Sequence, residues 1–326
     1  MKWFKKRMAL WIMTGAMPVL GLPAVDFAYA HVVAARQARW ERQVTRDVHG
    51  LRAGCEEFTT GQGSTALLMI HGFGDSPAVF GPFASRLAAL GFSCRALRLP
   101  GAGLPVELAR SATHDQWIQA IDDAVFALRK QHAAVWLVGH SLGGALATEY
   151  VLSNSNQVDG LILLAPLVEV SSDRSPFLPP ETWFRLGQHL HLFVDTLENY
   201  FPLDVHDPKA RAQVVKERFI PLSQYTELFA TVSNIRNQST RLRLPLLVFL
   251  ADDDHVIDSL AAERYYAQAQ SASARIRWIP NAGHVIPMDY GWQAVADEIA
   301  GFVGEAALQP YSPTIANRPS KIANTL

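Results

Sequence analysis

The sequence predicts an α/β fold in which helices cover a mostly parallel β-sheet. Short apolar runs without polar alternation recur along the chain, as in strands that are buried on both faces. Longer segments with a helical spacing of apolar residues separate these runs, and the connections are short. The predicted strands cover residues 66–70, 95–99, 135–138, 161–164, 246–250 and 275–280.

The first thirty residues have the composition of an export segment. Four cations at positions 2–7 precede residues 8–25, of which 13 of 18 are apolar and none is charged. Residues 28–30, Ala-Tyr-Ala, match the small-x-small pattern of a cleavage site. Residues 1–30 are therefore either a cleaved signal peptide or an N-terminal membrane anchor near the lower length limit. A buried core helix is disfavoured by the adjacent cations. Both leading interpretations place the rest of the chain on the far side of the membrane from the cytoplasm.

The remaining chain divides into a domain over residues 31–304 and a flexible tail over 305–326, which holds three prolines. Residues 31–43 are predicted to form a helix with an arginine-rich face. Residues 44–60 are more polar and β-prone, and are predicted to form an antiparallel edge pair. Between two core strands, residues 168–243 are too long for one crossover helix, which predicts an inserted helical cap.

Charge and cysteine content exclude several classes of protein. The 326 residues hold 29 basic and 30 acidic side chains, so the chain lacks the basic surface of a nucleic-acid-binding protein. With 49% hydrophobic residues it is not an intrinsically disordered chain. Two cysteines supply neither a disulfide scaffold nor a thiolate zinc site, and no histidine pair has metal-site spacing with supporting carboxylates. We expect no cofactor and no metal.

The strongest motif is Gly-His-Ser-Leu-Gly-Gly at residues 139–144, between a predicted strand and a predicted helix. This is the G-x-S-x-G nucleophile elbow in its required strand–turn–helix setting. A sharp turn there projects the hydroxyl of Ser141, and the following helix N-terminus stabilises developing negative charge. The backbone N–H of Leu142 is one predicted oxyanion donor. The predicted second donor is Phe73, in the His-Gly-Phe-Gly loop at 71–74.

Four motifs in this order resemble those of the α/β-hydrolases: HGFGDSP at 71–77, GHSLGG at 139–144, ADDDHVID at 251–258 and NAGHVIPMD at 281–289. Within that superfamily, residues 50–304 are most similar to bacterial carboxylesterases and monoacylglycerol lipase-like serine hydrolases. The resemblance implies an eight-stranded, mostly parallel sheet flanked by helices, with an inserted helical cap.

The resemblance also implies a Ser-Asp-His triad. It aligns Asp254 with the catalytic acid, while Asp253 remains the alternative and Glu169 a more distant one. His284 follows 30 residues after Asp254 and is the predicted base. In such a triad the histidine takes the proton of the serine, and the carboxylate orients the imidazole.

Cys55 and Cys94 are predicted to lie on neighbouring strands of the fold that the resemblance implies. In an exported protein they either pair as a disulfide or remain two separate buried thiols.

The predicted function is that of a serine hydrolase that cleaves carboxylic esters of medium- or long-chain acyl groups, such as monoacylglycerols or lysophospholipid-like molecules. An acyltransferase, or a thioesterase or peptidase, would use the same triad. A non-catalytic binding protein on this scaffold is the more remote alternative. The expected partner is a small acyl ester, with membrane association through residues 8–25. In a bacterium the enzyme would be periplasmic, or anchored in the inner membrane facing the periplasm.

Overall fold

A computed structural model describes residues 22–175, 177–188 and 191–308. The strands are β1 (Phe58–Thr60), β2 (Thr65–Ile70), β3 (Ser93–Leu97), β4 (Ala134–His140), β5 (Gly160–Leu164), β6 (Thr196–Glu198), β7 (Phe219–Pro221), β8 (Leu246–Ala251) and β9 (Ala274–Ile279). The helices are α1 (Leu22–Glu41), α2 (Gly81–Ala89), α3 (Val106–Ala109), α4 (His114–Arg129), α5 (Leu142–Asn154), α6 (Pro180–Gly187), α7 (Pro208–Arg211), α8 (Leu222–Ile235), α9 (Ser259–Tyr266) and α10 (Trp292–Ala307). Short 3₁₀ turns cover Pro77–Phe80, Ser172–Arg174 and Ser239–Arg241.

The main sheet confirms the predicted α/β class. Within the described residues it has seven strands in the order β1-β3-β2-β4-β5-β8-β9, and every pair except β1–β3 is parallel. Each predicted strand is present, although the one expected at 95–99 begins two residues earlier. The central strands β2, β4, β5 and β8 are buried almost throughout, which explains their continuous apolar sequence.

The predicted edge pair at 44–60 is only partly present: Arg46 and Arg52 form an isolated antiparallel bridge, and the main sheet is one strand short of the expected eight. Gly50 and Gly54 adopt φ of +81° and +83°, which are turn conformations. The carboxylate of Asp47 accepts the backbone N–H groups of His49 and Leu51, which closes the first turn. From this segment β1 alone enters the sheet, antiparallel to β3.

Helix pairs cover the sheet. Helix α10 packs against α2, while α4 and α8 pack against α5. The sequence sets where α4 begins, because Thr113 and Gln116 form a reciprocal capping box. Its buried residues include Trp117, Ile121 and Val125, which recur with the spacing of one helix face.

The segment at 168–243 contains α6, α7 and α8, but it is not purely helical. Strands β6 and β7 form a separate antiparallel pair, with Leu197 opposite Ile220. Both strands carry buried side chains, which the helical interpretation of this segment did not anticipate.

The ends of the domain differ from the predicted boundaries. Helix α1 begins nine residues before the helix predicted at 31–43, so residues 22–30 of the expected export segment belong to it. Helix α10 continues to Ala307 and includes the first three residues of the predicted tail. Residues 1–21 and 309–326 lie outside the described residues. Within the described ranges, no helix combines the length and hydropathy needed to cross a membrane.

Candidate active site

Ser141 lies at the tight turn between β4 and α5. Its backbone has φ 54° and ψ −120°, a left-handed conformation that a non-glycine residue adopts at a cost. The neighbouring backbone leaves room for this turn only if the flanking residues have no side chains. A Cβ on Gly139 would lie 2.4 Å from the carbonyl oxygen of Gly143, and one on Gly143 would lie 2.0 Å from that of Ile70. The glycine spacing therefore reflects close packing of the turn against β2 and α5.

His284 connects Ser141 to Asp254. Its Nε2 lies 2.8 Å from the Ser141 Oγ, and its Nδ1 lies 2.8 Å from the Asp254 Oδ2. These contacts fit a neutral imidazole whose Nδ1–H donates to the carboxylate while the serine hydroxyl donates to Nε2. The His284 side chain is 7% exposed and that of Asp254 is fully buried. The structure thus brings together the three side chains that the sequence predicted as a triad, from the loops that follow β4, β8 and β9.

Asp254 is the carboxylate in contact with His284, and the two alternative acids lie elsewhere. The half-exposed side chain of Asp253 contacts His206 and His255, both at 3.2 Å. Glu169 is exposed on the loop after β5. The three consecutive aspartates therefore have different environments, which sequence order could not distinguish.

The environment of Asp254 favours its ionised form. Burial alone would raise its pKa, but the charge and hydrogen bond of His284 outweigh burial and lower the pKa. The backbone N–H groups of Val256 and Ile257 donate to its other oxygen at 2.8 and 2.9 Å and act in the same direction. An ionised and immobile carboxylate holds His284 in the tautomer that accepts a proton from serine.

The predicted oxyanion donors border one cavity. A small cavity at the loop of Phe73 is lined by both Phe73 and Leu142. The Leu142 amide is at the first position of α5, where a helix supplies no internal acceptor. The loop of Phe73 contacts the nucleophile turn, since a Cβ on Gly72 would lie 3.1 Å from the Ser141 Cβ. Both residues thus border the same cavity, one next to Ser141 in sequence and one in the loop that contacts its turn.

Asp289 is a residue of the site to which the sequence analysis assigned no role. It is fully buried, and each of its oxygens accepts two backbone N–H groups at 2.8–2.9 Å. Two donors, His206 and Asp207, belong to the cap segment, and Gly283 precedes the catalytic histidine. Asp289 therefore joins the histidine loop to the cap. In the sequence, Asp289 is recognisable only as the acidic residue that ends the apolar run after His284.

Two further buried histidines form hydrogen bonds with the backbone around the site. His71 Nδ1–H donates to its neighbour's carbonyl, and its Nε2 accepts the N–H of Leu99. His140 Nε2–H donates to the carbonyl oxygen of His284 at 3.1 Å. Burial lowers the pKa of His71 to about 4 and that of His140 to about 3, so both rings are neutral near pH 7. Burial raises the pKa of the adjacent Asp75 to about 6.

The cysteines lie apart from the catalytic residues. Cys55 and Cys94 are both buried free thiols, so the structure has the unpaired alternative. Within residues 22–308, apart from the undescribed positions, no three His, Cys, Asp or Glu side chains converge as a metal site requires.

Comparison with known proteins identifies the relatives of this chain. The family model described as Hydrolase_4, serine aminopeptidase S33, matches residues 61–290. A thermostable monoacylglycerol lipase from Bacillus sp. (strain H-257) is 22% identical over 255 residues, which are 78% of this chain and 96% of the lipase. A carboxylesterase from Bacillus subtilis (strain 168) is 22% identical over 248 residues, 76% of this chain and 95% of that enzyme.

Solved structures have the same fold. The crystal structure of the monoacylglycerol lipase of Paleococcus ferrophilus superposes with a TM-score of 0.66 at 19% identity. The match covers 77% of this chain and 98% of that one. At this identity the likeness concerns the fold.

Proposed function

We propose, from the premise that the chain belongs to the Hydrolase_4 family of α/β-hydrolases and is a carboxylic ester hydrolase, that it acts on esters of medium- or long-chain acyl groups. Monoacylglycerols and lysophospholipid-like molecules are substrates of this kind. The observation that carries the proposal is the contact of Ser141, His284 and Asp254, next to a cavity that Leu142 and residues of the cap line together. Similarity to a monoacylglycerol lipase and a carboxylesterase supports the ester class.

The geometry accounts for each step of ester hydrolysis. Ser141 Oγ attacks the ester carbonyl while His284 Nε2 takes its proton, and the amides of Phe73 and Leu142 stabilise the resulting oxyanion. His284 then gives the proton to the departing alkoxide, which leaves as the alcohol. A water molecule attacks the acyl-enzyme with His284 again as the base, and the carboxylic acid is released.

The wall of the cavity supports an apolar acyl group. The ring of Phe73 packs on Tyr225 with a centroid distance of 4.9 Å, and Tyr225 stacks on Phe184 of α6 at 6.2 Å. These aromatic contacts extend from the oxyanion loop into the cap. Phe219 and Ile220 of β7 line the same cavity. Apolar surface that begins at the reacting carbonyl favours an acyl chain of several carbons.

Labelling with a fluorophosphonate tests the nucleophile. The full chain should be labelled, and the Ser141→Ala variant should not, because the probe needs an activated serine hydroxyl. Ser85→Ala is the matched control, since Ser85 is an exposed serine on α2, and it should label normally. Equal labelling of the Ser141→Ala variant and the unmodified chain would contradict the assignment.

A series of p-nitrophenyl esters from acetate to laurate tests the acyl group. The ratio kcat/KM should rise from acetate to the medium or long chains and depend on Ser141. A sharp preference for acetate would contradict the long-chain proposal while leaving the ester hydrolase intact. The same preparation is tested with an acyl thioester and with leucine p-nitroanilide, because the matched family model is described as a serine aminopeptidase. Faster cleavage of the thioester or of the anilide than of the esters would mean that the enzyme acts on that class of substrate instead.

We also propose that the chain acts on the far side of the bacterial cytoplasmic membrane, in the periplasm or anchored facing it. The four cations before the uncharged apolar stretch at 8–25 support this orientation. In cells expressing the full chain, external protease should digest the enzyme only after the outer membrane is opened. Protection that persists until the cytoplasmic membrane is lysed would contradict the proposal.

A further inference from the structure

Helix α1 binds the cap through a buried carboxylate. Asp26 is 8% exposed, and one of its oxygens accepts the backbone N–H groups of Leu192 and Phe193 at 2.8 and 2.7 Å. Its other oxygen lies 2.9 Å from Nδ1 of His191. Hydrogen bonds to a charged acceptor are among the strong ones in proteins. The residue that makes these bonds precedes the cleavage site predicted at 28–30.

The contact continues along the helix. Arg36 forms an ion pair with Glu198 of β6 at 2.8 Å, and Glu198 also pairs with Arg218. Val33 is 2% exposed and packs in a cluster with Val106 and Phe219. Helix α1 is therefore docked on the cap from its second turn to its last third. It lies outside residues 61–290, which the family model covers, so it is an addition of this chain to the matched region.

Exposed apolar side chains concentrate in α1 and in the cap. Eleven of the nineteen large apolar residues that the described ranges expose lie within 25–32 and 177–201. Leu192 is 67% exposed and Phe193 is 50% exposed, and the Phe193 ring packs edge-on against Phe27 of α1 at 5.3 Å. An exposed apolar surface of this kind marks an interaction site. We name Phe27, Leu192 and Phe193 the cap–helix face.

The chain that precedes α1 indicates what covers this face. Residues 8–21 are uncharged and mostly apolar, follow four cations, and join α1 four residues before Asp26. A stretch of 14 such residues is too short to span a bilayer as a helix, and its length and flanking cations are typical of a segment that enters the bilayer interface. Because the stretch at 8–21 leads directly into the helix that carries Phe27, lipid that receives this stretch is held next to the cap–helix face.

We propose that α1 is a permanent part of the mature protein and rests the cap–helix face on the lipid bilayer that holds residues 8–21. Cleavage after Ala30 does not occur, because it would remove Asp26 and Phe27 from the cap. The inference rests on the proposed function for its purpose, because a bilayer in contact with the cap also contains acyl esters.

Site-directed fluorescence of the full chain tests the face. Cys55 and Cys94 are fully buried, so a polarity-sensitive thiol dye reports on an introduced cysteine. Leu192→Cys should show a blue shift when vesicles of phosphatidylethanolamine and phosphatidylglycerol are added. Leu260→Cys is the matched control, because Leu260 is 56% exposed on α9 outside the cap, and it should not shift. No shift at position 192, equal shifts at both positions, or a shift that follows protein concentration without vesicles overturns the proposal.

The N-terminus of the mature protein tests retention. Mass spectrometry of the chain recovered from expressing cells should find residues 22–30 present, and a mature N-terminus at His31 overturns the proposal. Hydrolysis of p-nitrophenyl acetate is measured on the same labelled preparations and should be unchanged. Intact, Ser141-dependent hydrolysis with a failed vesicle response rejects this inference alone, whereas absent hydrolysis with a normal vesicle response rejects the proposed function alone.

Discussion

The catalytic loops and the cap hold their charged groups in different ways. At the carboxyl edge of the sheet, the buried carboxylates Asp254 and Asp289 accept backbone N–H groups of their own loops and, for Asp289, of the cap, at 2.8–2.9 Å. In the cap, Glu198 is held by the side chains of Arg36 and Arg218, each of which is nearly half exposed. Backbone donors are already ordered by the fold, whereas arginine side chains lose conformational freedom when they pair.

This difference indicates that the sheet edge sets the reaction rate and the cap sets the choice of substrate. A triad needs positions accurate to a fraction of an ångström, which backbone-held carboxylates on short loops provide. The part of the cap around Glu198 is held by side-chain ion pairs, so its sequence can change with less effect on the triad. We therefore expect changes at the sheet edge to alter rate and stability strongly, and changes in the cap to alter substrate choice.

The largest expected effect is that of His284→Ala. Without a base for Ser141, kcat for a soluble ester should fall about 10⁴-fold or more. The control is His255→Ala, a half-exposed histidine next to Asp254 in sequence, and kcat should change less than about threefold because its contacts are exposed ion pairs. Comparable losses in both variants, measured by steady-state kinetics, would remove the distinction between the two histidines.

Next in size is the pair Asp254→Asn and Asp253→Asn. Asn at 254 lacks the charge that orients His284, so kcat should fall roughly 10³–10⁴-fold. Asn at 253 changes a half-exposed group away from the triad and should leave kcat within about twofold. Equal losses of activity in the two variants would mean that the contact between Asp254 and His284 does not identify the catalytic acid.

A glycine pair tests how tightly the nucleophile turn is packed. Gly143→Ala places a Cβ 2.0 Å from the carbonyl oxygen of Ile70, and the free energy of unfolding should fall by about 3 kcal/mol. At Gly301 of α10 a Cβ meets no atom within 4 Å, and alanine should stabilise the helix by about 0.5–1 kcal/mol. Urea unfolding followed by circular dichroism measures both. A neutral Gly143→Ala would mean that the turn is more adaptable than the contact indicates.

Asp75→Asn should change the pH dependence of stability. Burial raises the pKa of Asp75 from 3.8 to about 6, and the nearby Lys216 and His284 only partly oppose this shift. The folded state therefore disfavours the charged form, so this contribution to stability is present below pH 3.8 and is lost as pH rises through about 6. The variant should gain up to about 3 kcal/mol relative to the unmodified protein across that window. Parallel stability curves for the two proteins would contradict this electrostatic assignment.

The smallest expected effect is in the cap. Glu198→Gln weakens the pairing with two half-exposed arginines and should cost about 1 kcal/mol of stability. Hydrolysis of p-nitrophenyl acetate should remain within about twofold, because no triad contact changes. Hydrolysis of the laurate ester should fall more. An equal fall for both esters would show that the cap and the catalytic loops are coupled more tightly than their contacts suggest.

Local patterns predicted much of the fold and the site. The apolar runs located the buried strands because a strand covered on both faces leaves few polar positions. The strand–turn–helix setting of Ser141 and the order of the motifs selected His284 and Asp254. The strand pair expected at 44–60 is only partly present, because β propensity does not show whether a partner edge is available, and Gly50 and Gly54 turn the chain there.

The sequence by itself determined the order of strands and helices and the chemical types of the catalytic groups, because both are written in local periodicity and short motifs. Tertiary structure decided which of three adjacent aspartates contacts His284. It also decided that Asp289 joins the histidine loop to the cap, and that Asp26 binds a loop more than 160 residues away. These contacts join groups far apart in the chain, and a buried carboxylate is stabilised only where distant backbone donors converge on it.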